Sequence, residues 1–287
     1  MSLALAGLVL LIVAGLVRLA IHLSLAPERT VGSGTPASVG LEYADVSIPT
    51  ENRKLLSGWF IPGGGPPGGP AVVILHGWGG DSASLLPLAR PLHEAAFSVL
   101  FIDARCHGKS DGDSFASMPR FAEDLEHAID WLLRRGDIDP RAVAAIGHSV
   151  GAGAALLAAS RRNDVAAIVC IAAFAHPGAM MRRWLAAKRI PFRPLGWLIL
   201  RYVEWAIGHR FDGIAPINTI RSVRCPTLIV HGADDGIVPV SEARSIHAAR
   251  SGSHVQLKIV AGSHDDFADL DKQLPDIVAF LSHGIRE

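Results

Sequence analysis

The sequence predicts an α/β fold with a mainly parallel central sheet flanked by helices. Short apolar runs rich in Val, Ile and Ala alternate with longer segments of helical periodicity, which is typical of repeated βαβ units. Continuous apolar runs indicate strands that are buried on both faces, whereas the first two runs read as a hairpin. Eight runs are expected to form strands, at residues 40–48, 55–61, 71–75, 98–102, 142–146, 166–173, 227–231 and 255–260.

The first 25 residues are expected to form an uncleaved membrane anchor. Nineteen of them are apolar, and about 20 such residues suffice for a spanning helix. Two alternatives are a cleaved signal peptide, which the absence of a basic residue before the run disfavours, and a helix packed on the protein. Because Arg18 and Arg29 lie on the C-terminal flank of the run and no basic residue precedes it, the main domain is expected on the cytoplasmic side.

Residues 26–38 are small, polar and contain Pro and Gly, so we expect a linker. The remaining residues, 39–287, then form one α/β domain. Within it, residues 120–134 predict a helix, because Leu125, Ile129, Leu132 and Leu133 recur at helical spacing.

Composition narrows the function classes. The 287 residues include 27 Lys plus Arg and 27 Asp plus Glu, so the net charge is zero and no basic excess is available for nucleic acid. Three cysteines lie far apart and form no CxxC motif or Cys/His ligand cluster, which argues against a disulfide framework and a structural zinc site. We therefore expect no nucleic-acid partner, no metal and no cofactor.

A nucleophile is predicted at Ser149. The run GHSVG at residues 147–151 follows the strand 142–146 directly and opens an Ala-rich helical segment. A sharp strand-to-helix turn that projects the serine leaves no room for side chains beside it, which explains the two glycines. The alternative is a serine that only caps the helix.

A serine nucleophile needs a base, and the base needs an acid that orients it. Asp235 is the predicted acid, since it lies in a loop directly after the strand 227–231 and precedes a glycine; Asp234 is then a solvated neighbour or a helix-capping group. His264 is the predicted base, because it follows the last strand by four residues. The backbone N–H groups of Val150 and Trp78 are expected to form the oxyanion hole, the latter in the glycine-rich loop after the strand 71–75.

Five motifs in this order resemble those of the α/β-hydrolase superfamily, in particular bacterial serine esterases and the branch that is similar to monoacylglycerol lipases or serine aminopeptidases. They are HGWGG at 76–80, DARCHGKSDG at 103–112, GHSVG at 147–151, HGADDGIVP at 231–239 and AGSH at 261–264. The resemblance implies the α/β-hydrolase fold and a triad of Ser149, Asp235 and His264. Cys106 stands where relatives often have Gly or Asn, and its thiol either lines the site or only packs.

Residues 174–224 form an insertion between two core strands, which we expect to be a helical lid broken at Pro191 and Pro194. Its basic and Trp-rich composition suits either a membrane interface or a cap whose apolar face covers the site. The basic residues are Arg182, Arg183, Lys188, Arg189, Arg193, Arg201 and Arg210.

Together these features predict a membrane-anchored serine hydrolase that cleaves lipophilic carboxylic esters through an acyl-enzyme. Its expected partners are a small-molecule ester and membrane lipid. Acyl transfer, or amide or peptide hydrolysis, on the same triad is an alternative. A membrane-anchored binding protein that keeps the fold without the activity is another.

Overall fold

An eight-stranded sheet forms the centre of the molecule, as the apolar runs predict. The computed structural model describes residues 3–265 and 268–285, with only the backbone given for residues 3–7, 9–11, 13, 14, 17 and 268–271. The strands are β1 (Ala44–Thr50), β2 (Lys54–Ile61), β3 (Gly69–Leu75), β4 (Ser98–Ile102), β5 (Ile138–His148), β6 (Ile168–Ile171), β7 (Thr227–Gly232) and β8 (Val255–Val260).

The first strand begins at Ala44 and not at residue 40. A 3₁₀ helix at Pro36–Val39 comes before it, and Gly40 ends this helix in the left-handed conformation at φ 74°. That conformation favours glycine and interrupts an extended chain. The hairpin prediction is otherwise correct, with Val46 of β1 opposite Gly58 of β2.

The strand order is β1-β2-β4-β3-β5-β6-β7-β8. β1 and β2 pair antiparallel with each other, β2 pairs antiparallel with β4, and the pairs from β4 through β8 are all parallel. The carboxyl ends of β5, β7 and β8 therefore lie at one edge, where open α/β sheets usually place their sites.

Helices flank this sheet, as the alternating pattern predicts. They are α1 (Leu3–Ser24), α2 (Ala89–Glu94), α3 (Met118–Leu133), α4 (Val150–Ala159), α5 (Pro177–Ala187), α6 (Trp197–Ile207), α7 (Phe211–Ile214), α8 (Pro216–Thr219), α9 (Val240–Ala248) and α10 (Ala268–Gly284). Two apolar clusters, one on each face of the sheet, form the core. In α3 the predicted residues Leu125, Ile129 and Leu132 are fully buried, whereas Leu133 is partly buried and packs on the larger apolar cluster.

The expectation of a membrane-spanning helix over residues 1–25 is not supported. The segment does form the helix α1, but among the described residues no helix is both long enough and apolar enough to cross a membrane. Several side chains of the apolar run lie outside the described residues. The end of α1 lies against the domain instead, with Ile21 and Leu25 packed on the larger apolar cluster.

The segment that was expected to be a linker also contacts the domain. The Arg29 guanidinium donates hydrogen bonds to the backbone oxygens of Gly108 at 3.2 Å and Ser110 at 2.7 Å. The backbone N–H of Gly32 donates to the carboxylate of Asp81. Residues 29–32 therefore follow the domain surface next to the sheet.

The insertion at residues 174–224 contains helices α5 to α8. As the prolines predict, α5 and α6 are separate helices, with one π-helical turn at Phe192–Gly196 between them. Its cations are not all available to an external partner. Arg183 pairs with the largely buried Glu242, and the Arg201 guanidinium lies 2.8 Å from Glu204.

Candidate active site

Ser149 lies on a sharp turn between β5 and α4. Its backbone has φ 54° and ψ −112°, which few non-glycine residues adopt, and its N–H donates to the oxygen of Ile171 at 2.8 Å. A strained turn of this kind projects a side chain at the carboxyl edge of the sheet. The serine is therefore held where a substrate can reach it.

The two glycines of the turn are required by lack of space. A Cβ on Gly151 would lie 2.5 Å from the backbone oxygens of both Leu75 and His76, and a Cβ on Gly147 would collide with the backbone of Gly151. Backbone atoms at the end of β3 and in the first turn of α4 cannot move aside, so only glycine fits at either position.

The three predicted triad residues lie within hydrogen-bond distance in series. His264 Nε2 is 3.0 Å from Ser149 Oγ, and His264 Nδ1 is 2.7 Å from Asp235 Oδ2. Because a carboxylate only accepts hydrogen bonds, Nδ1 carries the ring proton and donates a hydrogen bond to Asp235. The lone pair of Nε2 then faces the serine hydroxyl. Asp234, the alternative acid, is exposed and directs its backbone N–H to Gly262.

Asp235 is held in one orientation by the loop after β7. Its Oδ1 accepts the backbone N–H groups of Ile237 at 2.9 Å and Val238 at 2.7 Å. His231 Nε2 lies 3.3 Å from Oδ2 and 2.8 Å from the oxygen of Val238, so this nitrogen carries a proton. The contact of His231 was not predicted, although its position four residues before Asp235 in HGADD is the signal that identifies it.

A cavity of about 800 Å³ opens at Ser149. His264, Trp78 and Val150 line it together with the serine. Most of the remaining wall is apolar and comes from the insertion and the start of α3, including Met118, Met180, Met181, Val203, Ile207 and Phe211. Its size and apolar lining are typical of small-molecule sites.

The family model of serine aminopeptidases, S33, matches residues 68–210. The chain is also similar to the solved structure of esterase Pf2001 from Pyrococcus furiosus, with a TM-score of 0.73 and 24% identity over 90% of this chain and 99% of that one. The chain belongs to the α/β-hydrolase superfamily.

Two curated proteins are among the relatives of this α/β hydrolase. An uncharacterised protein of Mycobacterium tuberculosis is 29% identical over 250 residues, which cover 86% of this chain and 80% of that protein. The polyketide transferase ATR5 of Stachybotrys chlorohalonatus is 30% identical over 131 residues, 45% of this chain and 43% of that one.

His148, the residue before Ser149, supports the loop that carries His264 in this α/β hydrolase. Its Nε2 lies 3.0 Å from the backbone oxygen of His264, and the two rings are 5.1 Å apart. Burial lowers the pKa of His148 to about 4, an effect to which the neighbouring imidazole of His264 adds. The ring is therefore neutral at pH 7 and donates its Nε2 proton to the carbonyl. Sequence reasoning did not assign this role, because nothing in GHSVG shows what the histidine touches.

Among the described residues of the hydrolase, one group could hold a metal ion. It consists of His148, His264 and Asp265, whose potential ligand atoms all lie within 4.8 Å of one another. Both ring nitrogens of His264 already contact Asp235 and Ser149. A metal there would have to displace one of these contacts, so the donor set fits the triad better than a metal site.

Cys106 packs away from the cavity. It is buried, its Sγ accepts the backbone N–H of Asp113 at 3.2 Å, and its φ is 69°. A positive φ favours glycine or asparagine. This agrees with the residues that the resemblance leads one to expect at this position.

Proposed function

We propose that this chain is a serine hydrolase that cleaves carboxylic esters with an apolar acyl group. One observation carries the proposal: His264 lies 3.0 Å from Ser149 Oγ through Nε2 and 2.7 Å from Asp235 through Nδ1. A free hydroxyl is a weak nucleophile at neutral pH, so the serine needs a base that removes its proton and an acid that orients the base. These two contacts of His264 provide both.

The proposed reaction has two halves. Ser149 Oγ attacks the ester carbonyl carbon while its proton passes to His264 Nε2, and the Asp235 carboxylate stabilises the resulting imidazolium. The tetrahedral intermediate carries its negative charge on the former carbonyl oxygen, where the backbone N–H groups of Trp78 and Val150 are proposed to donate. The intermediate collapses as the C–O bond breaks, and His264 gives its proton to the leaving alkoxide.

The acyl-enzyme is then hydrolysed by the reverse sequence. Water attacks the acyl carbon and loses a proton to His264, and collapse of the second intermediate returns that proton to Ser149 Oγ as the carboxylic acid leaves. No cofactor takes part in either half. The apolar cavity wall supports an acyl group with a hydrocarbon chain, since a charged group there would lose hydration without a partner.

Hydrolysis of p-nitrophenyl butyrate tests the proposal. The full chain should release p-nitrophenol, and Ser149→Ala should lower kcat by a factor on the order of 10⁶. Ser160→Ala is the matched control at the other end of the same helix, where the hydroxyl contacts only the oxygen of Leu157. Full activity in Ser149→Ala would reject a serine mechanism, and no release by a folded parent chain would favour a binding protein.

Acyl transfer is the second candidate function. The similarity to a polyketide transferase favours it, since an alcohol that replaces water in the second half gives transfer on the same triad. Product analysis with an alcohol acceptor decides between them. A new ester as the main product identifies a transferase, whereas free acid at all acceptor concentrations identifies a hydrolase. The match to serine aminopeptidases makes amide substrates a further arm of the same assay.

A further inference from the structure

We propose that the end of α1 forms one wall of the acyl-binding cavity and takes part in selecting the chain length of the substrate. The inference rests on the proposed function and names a specificity residue, Leu25, for it. Ser24 and Leu25 line the same cavity as Ser149 and His264, although more than 120 residues separate them in the sequence.

Leu25 is held in place by the loop before α3. Its backbone oxygen accepts the N–H of Ala116 at 2.8 Å, and its side chain packs on the larger apolar cluster. Ala116 and Met118 line the cavity next to it. A half-buried leucine that faces a cavity and is fixed through its own carbonyl forms a defined boundary for a ligand.

Aromatic contacts hold the last turns of α1 against the domain. The ring of His22 packs edge-on against Phe115, with 5.7 Å between centroids. The Arg18 guanidinium lies over the ring of Trp205 at 5.0 Å and near that of Tyr202 at 5.9 Å, both on α6. Cation–π contacts of this kind stabilise a packed arrangement. They join α1 to the helix that supplies Val203 and Ile207 to the cavity.

The chain after Leu25 is fixed as well. Arg29 donates to the backbone of Gly108 and Ser110, so the three residues between Leu25 and Arg29 have little freedom. The wall is therefore held from both sides, and a bulkier side chain at residue 25 cannot relieve crowding by moving the whole segment. It must take space from the cavity.

The cavity volume of about 800 Å³ indicates that the wall limits the length of the acyl chain that can bind. A site built for acetyl esters needs much less apolar space, and hydrocarbon and thioether side chains of α5 and α6 form part of the cavity wall. Each methylene that reaches an apolar pocket adds binding energy, and each one that is excluded loses it. Leu25 should therefore affect long acyl chains more than short ones.

The experiment compares kcat/KM for p-nitrophenyl decanoate and p-nitrophenyl acetate in the full chain and three variants. Leu25→Trp narrows the cavity just after α1, and Ile207→Trp narrows it at α6. Leu23→Trp is the matched control, because Leu23 lies two residues before Leu25, in the last turn of α1, and is 63% exposed. The decanoate-to-acetate ratio should fall at least tenfold in Leu25→Trp and in Ile207→Trp, and it should stay within twofold of the parent in Leu23→Trp.

An unchanged ratio in Leu25→Trp overturns the inference, as does an equal fall in Leu23→Trp. Leu25→Ala is the second variant if Leu25→Trp does not fold, and it should raise the ratio of hexadecanoate to decanoate hydrolysis; no rise overturns the inference. Displacement of 8-anilinonaphthalene-1-sulfonate by decanoate separates this inference from the proposed function. If the parent hydrolyses neither ester, the proposed function fails, and weaker decanoate binding in Leu25→Trp than in Leu23→Trp still supports the wall.

Discussion

The Nε2 atom of His148 lies 3.0 Å from the backbone oxygen of His264, so the residue before the proposed nucleophile fixes the loop of the proposed base. His148→Ala removes this donor and should lower kcat by about tenfold to a hundredfold through misplacement of His264, with KM little changed. His148→Gln, whose amide N–H can donate, should recover part of the loss. Steady-state kinetics of the two variants measure this, and an equal loss in both would contradict a positioning role.

Substitutions of the two neighbouring aspartates should differ sharply in their effect on kcat. Asp235→Asn replaces the carboxylate that accepts from His264 Nδ1 and should lower kcat by about 10⁴. Asp234→Asn changes an exposed side chain beside it and should have an effect below about threefold. Ester hydrolysis by the two variants at pH 7.5 is the measurement. A reversed order would assign the acid to Asp234.

Stability should fall as the pH is lowered from 6.5 to 4. Burial lowers the pKa of His148 and of His107 to about 4, whereas both titrate near 6.5 in the unfolded chain. In this range the unfolded chain binds more protons than the folded one, so the free energy of unfolding decreases, by up to about 3 kcal/mol for each histidine. Urea midpoints between pH 7.5 and 4 measure the decrease.

His107→Phe provides the matched comparison. The ring of His107 packs against Phe121 and Trp78, and its Nε2 has no hydrogen-bond partner among the described residues. A phenyl ring keeps the packing and removes the titration, so the variant should lose less stability than the parent between pH 6.5 and 4. If the free energy of unfolding changed equally with pH in both proteins, His107 would not contribute to the pH dependence of stability.

The turn glycine at residue 151 should tolerate no side chain. Gly151→Ala places a methyl group 2.5 Å from two backbone oxygens and should cost about 3 kcal/mol of stability and most of the activity. Gly136→Ala is the control, because a Cβ there meets nothing within 4 Å. Chemical denaturation of both variants decides, and equal stability of the two would mean that the turn can relax.

Strands β3 to β7 could be predicted because each contains a continuous apolar run between polar or Gly-containing segments, and burial on both faces of a parallel sheet demands that pattern. The positions of Ser149, Asp235 and His264 could be predicted for a related reason. Each follows a strand whose carboxyl end lies at the same edge of the sheet, so their proximity is a consequence of topology.

Contacts that depend on docking could not be predicted. Nothing in the sequence near Leu25 shows that it reaches Ala116 and the cavity, since that contact depends on how α1 packs across α6. An apolar run is compatible with a spanning helix and with a packed one, and its own residues do not distinguish them. The contact of His148 with His264 likewise joins residues 116 positions apart.

Covalent labelling with a fluorophosphonate tests the central claim most directly, since the reagent reacts with a serine that a neighbouring base activates. The full chain is treated with the reagent, and the adduct is measured by intact mass and located by peptide mapping. We predict one adduct per chain at Ser149, none in Ser149→Ala, and a rate lowered at least a thousandfold in His264→Ala. A folded parent chain that takes no label, or a Ser149→Ala variant that is labelled as fast as the parent, would contradict the account.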